Sequence, residues 1–384
     1  MTILANIKCR EERSSLRDAP AARLWAAVAG FALCAAFSAQ NGFSQTNSSV
    51  GNSPVKATIS RATGSGSTLA LQVSSTTNVP SEMGGAFMHG SKCDGEGNLY
   101  IRKFAADRPL LGPVVKIDAE LKRTALFDPA AFSHLTLDRA DAFVPDPEGG
   151  VYQVAESGVV KPRTYVLHFS PDGSPASSVL LDADFEVYTF AAFADGRILV
   201  SGVRRDVENK NDRGQNLTAV FSADGRELAP LSFAGPKGSG KAGGKAKMQN
   251  EESKPSPLLD LAEAEAGEDG NLYVMRASSP AQVYVIAPSG EIVKTLEIRA
   301  PMLDAVPGGF HVSRNQLAIS FWKEDGERQA VVVVDAQTGR KIRSYTDATG
   351  VGTSFACFEA NEGVFTFLKL GENNELEVVR AEAQ

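Results

Sequence analysis

Residues 235–247, GPKGSGKAGGKAK, place Gly235, Gly240 and Lys241 at the G-x-x-x-x-G-K spacing of a phosphate-binding loop. Such a loop works through backbone N–H groups at a helix N-terminus, with Ser or Thr after the lysine to hold magnesium. Here Ala242 follows Lys241, and GGKAKMQNEE follows where a buried helix should begin. The metal ligand and the helix are both lacking. The stretch reads as a solvated linker, and no nucleotide is expected.

Other reactive side chains are sparse. No G-x-S-x-G is present, and Ser91 and Ser354 lack the strand-to-helix elbow of a hydrolase nucleophile. The histidines, His89, His134, His168 and His311, are scattered. His168, in YVLHF, reads as half-buried or outward-facing. His89 and His134 precede turns that could face a central channel, but a general base needs a partner within hydrogen-bond reach, and the sequence identifies none. No catalytic residue is assigned. Trp322, where AISFW gives way to a charged loop, is a candidate rim anchor for a partner, with His89 the other binding candidate; for Trp322, packing between sheets is the alternative.

Charge and the N-terminus narrow the classes. Residues 1–23 are rich in Lys and Arg, and LWAAVAGFALCAAFSAQ begins at Leu24. A basic region, a short apolar stretch and small residues at its end predict a signal peptide over residues 1–39, or an uncleaved N-terminal anchor. The body is then secreted or periplasmic, with no membrane span of its own. Removing this segment takes five basic and three acidic residues and moves the net charge from −7 to −9. Such a body is a poor partner for nucleic acid, whose binding is led by Lys and Arg.

The elements that must position any site repeat along the chain. EGNLYIRKF, EGGVYQVAE, DGRILVSGV, DGNLYVMRA, SRNQLAISF and NEGVFTFLK share a tight turn followed by an alternating strand. Their first apolar residues, Leu99, Val151, Ile198, Leu272, Leu317 and Val364, are spaced by 52, 47, 74, 45 and 47 residues. The 24 residues 234–257, almost free of apolar side chains, fall inside the long interval and leave a period of 50 when set aside. They read as a disordered insertion. A second hairpin follows in most units, turning at SPDGS, SADGR, APSGE or DAQTGR, where glycine supplies positive φ. Four antiparallel strands per unit, six times, predict an all-β, six-bladed β-propeller over residues 66–384, with residues 40–65 as a disordered linker. The last unit is one strand short. STLALQVSS, residues 67–75, is the strand expected to complete it and close the ring.

The D-G-N-L-Y-V pattern in EDGNLYVMRASSPAQVYVIAPSGEIVKTL resembles six-bladed propellers of the NHL-repeat-like and TolB-like class. The glycine-proline lead-in of NHL repeats and the WD dipeptide are absent. Lactonases similar to this class hold calcium at the ring centre with carboxylates and amides. On that resemblance Glu82, Asp138, Asp141, Glu186, Asp260, Glu263 and Asp304 are the candidate calcium ligands, with solvated or turn-bound roles as the alternative. Cys93 and Cys357 precede their turns by similar intervals in the first and last units. Either a disulfide that staples the ring or two buried thiols fits. The function expected is an exported binding scaffold for a protein, peptide or glycan, with no cofactor; the alternative is a calcium-dependent lactonase or hydrolase at the central channel.

Overall fold

The computed structural model describes residues 58–61, 68–79, 91–103, 105, 107–158, 163–182, 185–205, 214–231, 233, 261–323, 329–348, 350–352, 354–373 and 375–383. The expected signal peptide 1–39, the insertion 234–257 and the candidates Glu82, His89 and Asp260 lie outside the described residues.

Two strands open the chain, β1 (Thr58–Arg61) and β2 (Thr68–Asn78). Then come β3–β6 (Lys92–Cys93, Leu99–Arg102, Val114–Ile117, Arg123–Phe127) and β7–β10 (Arg139–Pro145, Val151–Ser157, Arg163–Phe169, Pro175–Leu180). Next are β11–β14 (Phe185–Ala192, Ile198–Arg204, Gln215–Phe221, Glu227–Pro230) and β15–β18 (Leu261–Ala266, Leu272–Arg276, Ala281–Ile286, Ile292–Ile298). The chain ends with β19–β22 (Val306–Ser313, Gln316–Trp322, Gln329–Asp335, Lys341–Ala348) and β23–β25 (Ser354–Glu359, Val364–Leu370, Leu376–Ala383). Within each run, consecutive strands pair antiparallel, giving a propeller-like arrangement of four-stranded sheets.

Among the described residues the hydrogen-bonded sheets number five, where six separate units are expected. The reason is the length of β2. Leu71–Asn78 pair antiparallel with β25, while Thr68–Ala70 pair parallel with β22, so one strand fuses β19–β22 and β23–β25 into an eight-stranded sheet. A second difference concerns the expected linker 40–65. Thr58–Arg61 form β1, which pairs parallel with β18. Thr58 and Ile59 favour extended backbone, and the outer edge of that sheet offers unpaired backbone groups.

The middle strands are apolar on both faces. Val331, Val332, Val333 and Val334 of β21 are all buried, as expected where sheets are covered on both sides. Each buried apolar cluster mixes residues of two consecutive runs. One joins Tyr100 and Phe127 to Phe143 and Phe169. Another, joining the two ends of the described chain, combines Leu99 and Ile117 with Leu368 and Val378.

One turn geometry recurs. In residues 94–98, 146–150, 193–197 and 267–271 the first N–H donates to the fifth carbonyl and the glycine N–H to the first carbonyl. Gly97, Gly149, Gly196 and Gly270 have φ between +78° and +90°, the left-handed region that glycine enters without steric cost. The inner strands carry a second regularity: register shifts interrupt the pairing of β7, β11, β15, β19 and β23 with their neighbours. Such bulges add twist and re-aim side chains.

Candidate functional site

The bulged inner strands bring together four ionisable side chains from distant parts of the chain. Lys92 ends up on β3 because the turn after it is locked. The Asp94 carboxylate accepts the N–H groups of Glu96 and Asn98 at 3.0 Å each and the Tyr100 hydroxyl at 3.0 Å, with Lys116 Nζ at 3.2 Å. In LAEAEA, strand alternation puts Glu263 and Glu265 on one face of β15. On β19, Phe310 N–H donates to Glu263 Oε2 at 3.4 Å and Val312 N–H to Glu265 Oε2 at 3.0 Å. Gly309 makes the approach close: a Cβ there would lie 3.2 Å from the Phe355 carbonyl oxygen and 3.5 Å from Glu263 Oε1.

Lys92 Nζ lies 3.3 Å from Glu263 Oε2 and 3.6 Å from Glu265 Oε1. His311 Nδ1 lies 3.0 Å from Glu265 Oε2. The side chains of Lys92, Glu265 and His311 are 8%, 10% and 6% exposed, and Glu263 is 21% exposed. Burial pushes the Glu263 carboxyl up, and neighbouring Glu265 adds to this against Lys92. Burial also acts to raise Glu265, but His311 and Lys92 outweigh it and hold that carboxyl below its usual value. For Lys92 burial acts downward, and the two carboxylates outweigh it, so its ammonium is held above the usual value. Two carboxyls on one strand are thus driven apart in proton affinity, with Glu265 the firmly ionised member.

Beside this cluster, Cys93 and Cys357 form a disulfide between β3 and β23, with Cα atoms 5.7 Å apart, inside the range the bond requires. Cys93 also lines a cavity of about 180 Å³ made by three turns: residues 94–97, Ser313 with Arg314, and residues 358–362. Asp94, Glu96, Glu359 and Glu362 line it against one guanidinium, that of Arg314.

Of the described carboxylates expected to hold calcium, Asp138, Asp141 and Glu186 are engaged with other groups. Asp138 Oδ2 accepts Gly158 N–H at 2.5 Å. Asp141 pairs with Arg102 Nη1 at 3.6 Å and with Arg139. Glu186 pairs with Arg205 Nη2 at 2.6 Å. Asp304 is exposed, in a turn at φ +59°. Asp141 and Glu186 do share a neighbourhood with Glu156 around Arg139, but three arginines, Arg102, Arg139 and Arg205, fill it. Among the described residues no three His, Cys, Asp or Glu side chains are grouped to hold a metal ion. Among the described candidates the arrangement does not fit calcium.

His134, which could have faced the channel, has its Nε2 3.1 Å from Ser178 Oγ on β10, the outermost strand of its sheet. His168 stacks on Tyr152, with ring centroids 4.1 Å apart, and pairs with Asp146 at 2.6 Å. Trp322 is half-buried, and its indole fills the space over Gly308, where a Cβ would meet Cδ1 at 2.9 Å. Of the described candidates, Glu263 belongs to the buried cluster and Cys93 and Cys357 lie beside it. Lys92, Glu265 and His311 were missed. Their signals were charges at alternate positions of an inner strand, in AEAEA, and K-C set directly before a D-G-x-G-N turn.

No family model matches the sequence, and no curated protein matches it. Among solved structures, the chain is similar to the Pan2 WD40 domain of Neurospora crassa, at 11% identity and TM-score 0.40 over 82% of this chain and 95% of that one. It is similar to the PQQ-bound aldose sugar dehydrogenase of Streptomyces coelicolor, at 12% identity and TM-score 0.42 over 82% and 98%. It is also similar to a protein of unknown function from Bacteroides caccae, at 11% identity and TM-score 0.42 over 69% and 83%. Among the described residues no helix is long and apolar enough to cross a membrane.

Proposed function

We propose that this chain is an exported six-bladed β-propeller that acts as a binding scaffold, taking a basic segment of an extracytoplasmic protein or peptide at one mouth of its channel. The count of six is supported by strand order. Divided at β2, the eight-stranded sheet yields two units, and without β1 the five-stranded sheet is a four-stranded one. The buried clusters then fall between successive units around a ring. The recurring turn agrees with the NHL-like pattern of the sequence. Export rests on residues 1–39 alone.

The observation that carries the reading is the three-turn cavity beside the Lys92 cluster. Its charged lining is Asp94, already paired with Lys116, together with Glu96, Glu359 and Glu362 against Arg314, an acidic excess that complements a Lys or Arg side chain or a terminal amine. The calcium-dependent lactonase or hydrolase is less favoured, because three of its expected ligands, Asp138, Asp141 and Glu186, are paired with a backbone amide or with arginines. Calorimetric titration with a lysine-rich peptide and with the same peptide carrying Glu for Lys tests the proposal. Binding of the basic peptide, weakened by salt and by the double substitution Glu359→Gln, Glu362→Gln, is expected. Equal binding of both peptides, or binding only of a glycan that the substitutions leave unchanged, would overturn it.

A further inference from the structure

We infer that Cys93 and Cys357 form a thiol–disulfide exchange site for dithiols, with Cys93 as the attacked sulfur and His311, oriented by Glu265, as the group that stabilises its thiolate. A bridge that served only to staple two strands would need nothing beside it. This one has an imidazole against the sulfur and a carboxylate against the imidazole. Glu265 Oε2 is 3.0 Å from His311 Nδ1, and Cys93 Sγ lies beside the same ring, 3.4 Å from Nε2 and 3.8 Å from Nδ1. Glu265 is itself fixed by Val312 N–H and Lys92. The Glu265 carboxylate fixes the ring through Nδ1, and an imidazole set against a sulfur can hold the proton that a thiolate gives up. Residue logic of this kind, nucleophile, base and orienting carboxylate, is what activates a cysteine.

Both cysteines are buried in one apolar cluster, Cys93 at 7% and Cys357 at 1% exposure, but Cys93 lines the three-turn cavity and Cys357 does not. An incoming thiolate therefore meets Cys93. It forms a bond to Cys93 Sγ, the bond to Cys357 breaks, and the electron pair leaves on Cys357 Sγ, which takes up a proton. The second thiolate of the same dithiol then bonds to the first substrate sulfur. The mixed disulfide breaks, and its electron pair leaves on Cys93 Sγ facing His311. The protein disulfide is reduced to a dithiol and the substrate dithiol is oxidised to a disulfide, with no further reactant. The reverse sequence reduces a disulfide. Neither direction requires the cavity to bind a basic peptide; it need only admit a thiol. The β2–β25 pairing involves neither cysteine, so that closure does not rest on the bridge.

The full chain is reduced with dithiothreitol under native conditions and alkylated over a range of pH, and each cysteine is followed by mass spectrometry. The groups that set the Cys93 profile are Lys92 and Asp94 beside it, Glu263 and Glu265 on β15, His311 and Arg314 at β19, and Glu359 at the end of β23. Cys93 should react about tenfold faster than Cys357, with a midpoint below the ordinary thiol value of about 8.5. His311→Gln should move that midpoint up, and Glu265→Gln should move it in the same direction. Cys357→Ser should accumulate a mixed disulfide on Cys93 when offered an oxidised dithiol. Reaction of both cysteines at one rate, equal to the rate of global unfolding, would overturn the inference. So would a wild-type Cys93 midpoint at the ordinary thiol value, a measurement that does not depend on any variant folding.

Discussion

Lys92 on β3 reaches across 171 residues of sequence to Glu263 on β15, with Nζ and Oε2 3.3 Å apart. Neither residue is matched by a local partner of opposite charge. The pair exists only when the first run of strands and the run at 261–298 are both in place. It is therefore a probe of the assembled ring of inner strands.

Lys92→Met removes the ammonium and leaves Glu263 and Glu265 facing each other in the interior. Breaking a buried pair in this way costs about 3–5 kcal/mol. Combining it with Glu263→Gln should cost less than the sum of the single changes, because the second substitution relieves the repulsion that the first exposes. Urea unfolding of the four species measures this; additivity would mean that the groups do not interact.

The same cluster sets a pH dependence. The folded value of Lys92 lies above its ordinary 10.5. Its contribution is fully present below 10.5 and is lost as pH rises through the folded value. The Glu265 carboxyl lies below its ordinary 4.5. Its contribution is fully present above 4.5 and is lost as pH falls through the lowered value. Glu263 has the opposite sign, since its value lies above 4.5, and its cost grows as pH rises from 4.5 toward that value. Urea midpoints measured against pH should fall at both ends in the wild type. Lys92→Met should flatten the alkaline fall and Glu265→Gln the acid one.

Glycines at equivalent turns differ in what surrounds them. Gly173, at φ +88°, has the Leu126 carbonyl oxygen 2.3 Å from where a Cβ would sit, whereas Gly270, at φ +78°, has nothing within 4 Å. Gly270→Ala should cost only the left-handed backbone penalty, about 1–2 kcal/mol. Gly173→Ala should cost about 1–3 kcal/mol more, because it drives a methyl group into the neighbouring sheet. Thermal unfolding of the two variants ranks them, and equal loss would mean that the sheets are not packed turn against strand.

A chain that begins at residue 80 lacks β2. The edges of β22 and β25 then lose their partner, and exposed edges pair with other copies. Lower urea midpoints and concentration-dependent association on size-exclusion chromatography are expected. An unchanged monomer with an unchanged midpoint would show that β2 does not seal the fold.

The repeat was legible because its signals are local. Gly173, Gly225, Gly290 and Gly339 punctuate hairpins and all lie at positive φ. STLALQVSS alternates, and Leu71, Gln72, Val73 and Ser75 of it pair with the last strand. The strand at Thr58–Arg61 was not legible, because four residues in a polar stretch carry too little pattern and the partner, β18, lies more than two hundred residues away. The site was hidden for a related reason. Charged residues read as solvent-facing, and Lys92, Glu265 and His311 are buried only because three distant inner strands converge. Calcium ligands were sought among carboxylates near turns, but Asp141 and Glu186 meet arginines from neighbouring strands that no local spacing reveals.

Calcium decides between a scaffold and a metal-dependent enzyme most directly. Calorimetric titration of the purified protein with calcium, followed by thermal melts with calcium and with EDTA, should give no saturable heat and no shift in Tm. A saturable site would contradict the account, since calcium at a hundredfold excess over its Kd would stabilise the fold by about 2.7 kcal/mol and raise the Tm accordingly.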